Sequence, residues 1–150
     1  MSHNIYAVLK DDHRKFKALL SDIENTTERA AKTREALFAE LKQSVEAHAK
    51  AEEATFYSAL GQADPPKDML PEAYAEHETV ATLLTELAGM DCTTEEWTGK
   101  FLVLKENLTH HIKEEEETVF NAAHGMLSRE EADTLGEKMT TQEAELKAAK

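Results

Sequence analysis

Two histidine–glutamate pairs recur in this chain of 150 residues: His48 with Glu52, and His111 with Glu115. On a helix, residues four apart lie one turn apart on the same face, so each pair can aim a ring nitrogen and a carboxylate oxygen at one point. Two further histidines, His13 and His77, complete a set of four imidazoles and two carboxylates. In an apolar interior the two carboxylates would repel each other, and each would cost several kcal/mol to bury without a partner. Bound cations remove both costs. Two carboxylates on facing helices can bridge two metal ions, with the histidines filling the remaining positions. Mixed imidazole and carboxylate ligation suits iron or manganese, with zinc also possible.

The elements that must position these groups are helical. Apolar residues recur at intervals of three and four. A first helix is expected from near Asn4, carrying Ile5, Leu9, Phe16, Leu19, Leu20 and Ile23. The polar stretch 25–33 interrupts the stripe. A second helix carries Leu37, Leu41, Val45 and Phe56, and residues 61–68, with Pro65 and Pro66, form the clearest break. A third helix spans about 70–88, with Pro71 in its first turn. Thr93 with Glu96 reads as a capping box that opens a fourth helix, which carries Phe101, Leu104, Leu108, Ile112 and Val119 and ends near Gly125. Ser128 with Glu131 caps a shorter fifth helix with Leu135, Met139 and Leu146 on one face. The expected fold class is all-α: an up-down-up-down four-helix bundle over residues 1–125, with a short additional C-terminal helix over 126–150 that packs on or extends it.

The chain repeats itself. The segment beginning Asp12-His13 matches that beginning Glu76-His77 at an offset of 64, and His48 to Phe56 matches His111 to Val119 at an offset of 63. In an antiparallel hairpin, residues equally far from the turn share a level. The midpoint of His13 and His48 falls near residue 30, that of His48 and His77 near 62, and that of His77 and His111 at 94, each inside an expected turn. All four histidines therefore belong at one level of the bundle. They also continue the apolar stripes: Leu41, Val45, His48, Glu52 and Phe56 on the second helix, and Leu104, Leu108, His111, Glu115 and Val119 on the fourth. His110 with Glu114 is a competing pair, but the repeat and the stripe both select His111 and Glu115 from the run of glutamates. His3, His110 and His124 lack a repeat partner and read as surface residues. Tyr6 and Tyr74, on the faces of His13 and His77, read as core packing, and Trp97 as packing or partly exposed.

The formal net charge of −13 excludes phosphate-tracking surfaces, so neither nucleic acid nor an anionic membrane is an expected partner. One cysteine, Cys92, permits no internal disulfide and reads as a free thiol without a role. With no apolar signal core and no spanning run, the expected location is cytoplasmic.

These segments, in order, resemble the hemerythrin-like HHE cation-binding family: Asn4 to His13, His48 to Glu52, His77, and His111 to Glu115, with the resemblance covering about residues 4–124. It implies a non-haem di-iron centre with bridging carboxylates and an oxo or hydroxo bridge, and the ligand set His13, His48, Glu52, His77, His111 and Glu115. Oxygen-carrying hemerythrins have a fifth histidine one turn before the third-helix histidine, where this chain has Ala73. They also space the last histidine and carboxylate differently. The chain is more similar to the four-histidine bacterial branch, which resembles the domain of iron–sulfur repair proteins. The resemblance thus points away from simple oxygen carriage and towards space beside the metals for dioxygen, nitric oxide or peroxide, in stress defence or iron handling. The alternatives are a di-iron enzyme (peroxide decomposition, nitric oxide reduction or iron-centre repair) and a metal-binding helical interaction module. Oligomeric state is left open.

Overall fold

The computed structural model describes residues 3–149, and among them it has helices and no strand. Helix α1 spans Ile5–Glu24 and starts at Asn4, whose side-chain oxygen accepts the Ala7 N–H at 2.9 Å. Helix α2, Ala31–Glu52, passes through a π-helical turn, Glu53–Tyr57, into α3, Ser58–Gln62. The chain then turns through Asp64, whose φ of 59° puts it in the left-handed region that aspartate tolerates, and two prolines lead into α4, Met69–Ala88. Helix α5, Glu95–Glu114, runs through a second π-turn, Glu115–Val119, into α6, Phe120–His124. Helix α7, Arg129–Ala148, has 20 residues, as many as α1, and opens with the Ser128–Glu131 capping box.

The cap of α5 differs from the expected one. Thr94, not Thr93, accepts the Trp97 N–H, and Thr93 instead bonds the Asp91 side chain through its N–H and hydroxyl. Contacts of α1 with α2, α2 with α4, α4 with α5 and α5 with α1 close the up-down-up-down ring, and α7 lies along α1 and α2.

Two apolar clusters fill the ring. One, near the α1–α2 and α4–α5 turns, includes Phe16, Ile23, Phe38, Leu84, Trp97 and Phe101. The other includes Tyr6, Leu9, Phe56, Tyr57, Phe120 and, from α7, Met139. Phe38 is buried, rather than its neighbour Leu37, which packs partly against the same cluster. Trp97 is fully buried, stacked on Phe101, with its indole N–H donating to the Leu87 carbonyl at 3.2 Å.

Arg34 is a buried cation at this end of the bundle. Its guanidinium donates to the Thr26 hydroxyl and carbonyl, the Cys92 carbonyl and the Thr98 hydroxyl, at 2.9–3.1 Å, and lies 5.0 Å from the Trp97 ring centre. It therefore ties the turn after α1 to the turn before α5.

At Gly136 the backbones of α7 and α1 approach too closely for a side chain. A Cβ there would sit 2.1 Å from the His3 carbonyl oxygen and 2.7 Å from the Asn4 carbonyl carbon. Gly136→Ala is therefore expected to lower stability by about 1–3 kcal/mol, through displacement of α7 from the start of α1. Gly99→Ala, where a Cβ meets nothing within 4 Å, should instead raise stability by about 0.5–1 kcal/mol through helix propensity alone. Thermal denaturation of the two variants would check the opposite signs.

Candidate metal centre

Between the two apolar clusters lies a polar layer. His13 on α1, His48 on α2, His77 on α4 and His111 on α5 are all buried, and Glu52 and Glu115 are 0% exposed. The structure thus brings all six sequence-selected residues together, and His110 stays outside on the exposed face of α5.

The four Nε2 atoms turn towards the two carboxylates. Glu52 Oε1 lies 3.5 Å from His48 and 3.1 Å from His77. Glu115 Oε1 lies 3.2 Å from His13, and its Oε2 lies 3.8 Å from His111. Each carboxylate thereby spans one histidine of the pair His13–His48 and one of the pair His77–His111, whose rings are 5.5 and 4.7 Å apart. Several of these inward atoms have no hydrogen-bond partner: both oxygens of Glu52, Oε1 of Glu115, and Nε2 of His13 and His111. Buried acceptors left unsatisfied in this way are costly unless a cation occupies the space between them.

The four Nδ1 atoms face outward, each onto one carboxylate: His13 onto Glu116 at 2.6 Å, His48 onto Asp12 at 2.8 Å, His77 onto Glu53 at 2.7 Å and His111 onto Glu76 at 2.6 Å. A carboxylate on Nδ1 fixes the ring and the tautomer that leaves Nε2 free to bind metal. Sequence reading did not pick these four acids, yet the repeat carries them. Asp12 and Glu76 each precede the first histidine of a half, and Glu53 and Glu116 each follow its glutamate.

Tyr57 is the other residue that the apolar pattern missed. In an α-helix, a residue five beyond Glu52 points well away from it. The π-turn takes more residues per turn and brings both Phe56 and Tyr57 inside, as its counterpart does with Val119 and Phe120. The Tyr57 hydroxyl donates to Glu115 Oε2 and lies 3.4 Å from His77 Nε2. The equivalent residue in the other half is Phe120, stacked 6.4 Å from His13, so only one half of the layer has a hydroxyl. Tyr6 is buried against Phe56 and Phe120, whereas Tyr74 is exposed.

The electrostatics follow from burial and close partners. Burial pushes the His48 imidazole down, but Glu52 and Asp12 outweigh it and hold His48 well above its usual value. Against the same burial, Glu52 and Glu53 hold His77 at about 9. Burial pushes Glu52 up, but the His48 and His77 rings hold it well below the carboxylate range. Glu115 goes the other way, raised by burial and by the facing Glu52. Tyr57 is raised well above its usual value, first by burial and then by the two glutamates, so it stays a neutral proton donor. The donor atoms group as Glu52, His77, His111 and Glu115 on one side and His13, His48 and Glu115 on the other, each group within 4.8 Å.

A cavity of about 40 Å³ adjoins the layer on the side of the first apolar cluster, lined by the four histidines and by Val80 and Leu108 among others. A larger open cleft, about 380 Å³, reaches His111 and Glu115 past Ala73.

Residues 4–123 match the family model of the hemerythrin HHE cation binding domain. The chain belongs to the hemerythrin-like HHE family. The crystal structure of an HHE cation binding domain-containing protein from Mycobacterium kansasii is similar to this HHE chain. It has a TM-score of 0.87 and 28% sequence identity, covering 98% of this chain and 89% of that one. No match was found among curated proteins. The chain is thus a helical HHE cation-binding domain whose buried histidine–glutamate cluster could hold metal. Among the described residues, no helix is long and apolar enough to cross a membrane.

Proposed function

We propose that this HHE domain holds two non-haem iron ions and uses them to bind or sense a small ligand such as dioxygen, nitric oxide or peroxide. His13 and His48 would hold one ion and His77 and His111 the other, with Glu52 and Glu115 shared between them. The observation that carries this reading is the set of buried, unpartnered oxygens and Nε2 atoms converging on one layer. The donor set, nitrogen and oxygen without sulfur, favours iron or manganese over softer metals. Four imidazoles and two carboxylates for two ions would leave room for a small ligand. When bound, the ions would supply Lewis acidity and redox chemistry at that position.

The chain's own residues suit a small, uncharged or weakly basic guest. The 40 Å³ cavity beside the histidines is mostly apolar and admits about one or two water-sized molecules. Ala73 leaves open the approach from the cleft. Tyr57 lines neither space; from the second apolar cluster its hydroxyl donates to Glu115 Oε2 and orients that carboxylate. Stress defence or iron handling is the setting this chemistry fits.

Stopped-flow spectra of the reduced, iron-loaded protein test the reading. A change on mixing with at least one of the three ligands is expected, and no change with any of them would contradict it. Tyr57→Phe should lower iron affinity about ten-fold, through loss of the hydroxyl that orients Glu115. An anaerobic Fe(II) titration of the variant would measure this.

A further inference from the structure

Glu143 stands out among the buried charges. It lies on α7, beyond residues 4–123 that match the HHE model, and is 7% exposed. Its carboxyl lies beside that of Asp12 on α1. One oxygen from each lies with a ring nitrogen of His48 in a group within 4.8 Å. Asp12 Oδ2 in turn sits 2.8 Å from His48 Nδ1. Two carboxyls side by side away from water favour holding one proton between them, so Glu143 can donate to Asp12 while Asp12 accepts the His48 N–H.

Asp12 differs from the other three outer carboxylates. Its side chain is 11% exposed, against 22–36% for Glu76, Glu116 and Glu53, which are open to water. Water can orient those three. Asp12 has Glu143 in that place.

We infer that α7 is a working part of the metal centre: Glu143 is a positioning residue that fixes the Asp12 carboxylate and, through it, the ring of His48. Resting on the two-ion reading above, this makes the ion at His13 and His48 depend on the C-terminal helix, whereas the ion at His77 and His111 does not. Glu143→Leu removes the donor and leaves Asp12 without its partner. Glu143→Gln keeps a donor in its amide.

The test is an anaerobic titration of wild-type protein, E143L and E143Q with Fe(II). It is accompanied by long-range 1H–15N spectra of the histidine rings in the metal-free proteins and by their melting temperatures. E143L is expected to bind one of its two ions about 10- to 100-fold more weakly, as is usual when the group that orients a ligand is lost. Its His48 ring signals should move while those of His111 stay, and E143Q should match wild type. Unchanged affinities in E143L, or both ions weakening together, would overturn the inference while leaving the two-ion reading intact. Wild-type protein that takes up no iron would overturn both.

Discussion

Glu115→Gln is expected to empty both halves of the centre, whereas His13→Ala or His111→Ala should empty one. Glu115 reaches both halves with separate atoms, one oxygen towards His13 and the other towards His111, whereas Glu52 reaches His48 and His77 with a single oxygen. An amide cannot bridge two cations. Affinity for each ion should fall at least about a hundred-fold, the upper end of what losing a mere orienting partner costs. Metal content per chain after dialysis would show two ions in wild type, about one in the histidine variants and close to none in E115Q.

The same substitution should make the metal-free protein more stable. Glu115 is raised by burial and by Glu52, so ionising it in the fold is unfavourable. A carboxyl whose folded-state value is raised contributes most at low pH and loses that contribution as pH rises through the folded value. Glutamine does not titrate. Urea denaturation of chelator-treated proteins should therefore place E115Q above wild type at neutral pH, by about 1–3 kcal/mol. The gap should close on acidification. A centre shaped for cations is strained without them, and an E115Q protein less stable than metal-free wild type at neutral pH would contradict that.

Arg34→Ala should be the most damaging single change for stability, at about 3–5 kcal/mol. It leaves two backbone carbonyls and two hydroxyls without their donor and opens a hole beside Trp97. For a domain of this size that corresponds to a fall of about 10 °C or more in melting temperature. Arg34→Lys should recover only part of the loss, because an ammonium cannot reach the Thr26, Cys92 and Thr98 oxygens together. Chemical denaturation of both variants measures the loss. Their metal stoichiometry at low temperature should equal wild type, since Arg34 lies at the turn end of the bundle, away from the histidine layer.

Why the six central residues were legible in the sequence, and their surroundings less so, has a physical basis. A group that continues an apolar stripe must point inward, and duplication plus turn midpoints put His13, His48, His77 and His111 at one level. Tyr57 was hidden because the stripe assumes 3.6 residues per turn, and the π-turn after Glu52 breaks that period. Arg34 was hidden because an apolar pattern has no way to call a cation inward. Its burial depends on carbonyls that two distant turns bring together. Glu143 was half-legible: Leu135, Met139, Glu143 and Leu146 step by four, four and three, but the apolar members alone were read as the face. The α5 cap is Thr94 rather than Thr93, which instead closes a turn onto the Asp91 side chain. A local turn of that kind is invisible to a motif.

The most direct test of the central claim is metal content. The chain would be expressed in iron-replete medium, purified without chelator, and analysed for metal per chain with its ultraviolet–visible spectrum. About two irons per chain and a charge-transfer band are expected from six converging donors. Fewer than about one metal ion per chain, with no such band, would contradict a two-ion centre at His13, His48, Glu52, His77, His111 and Glu115.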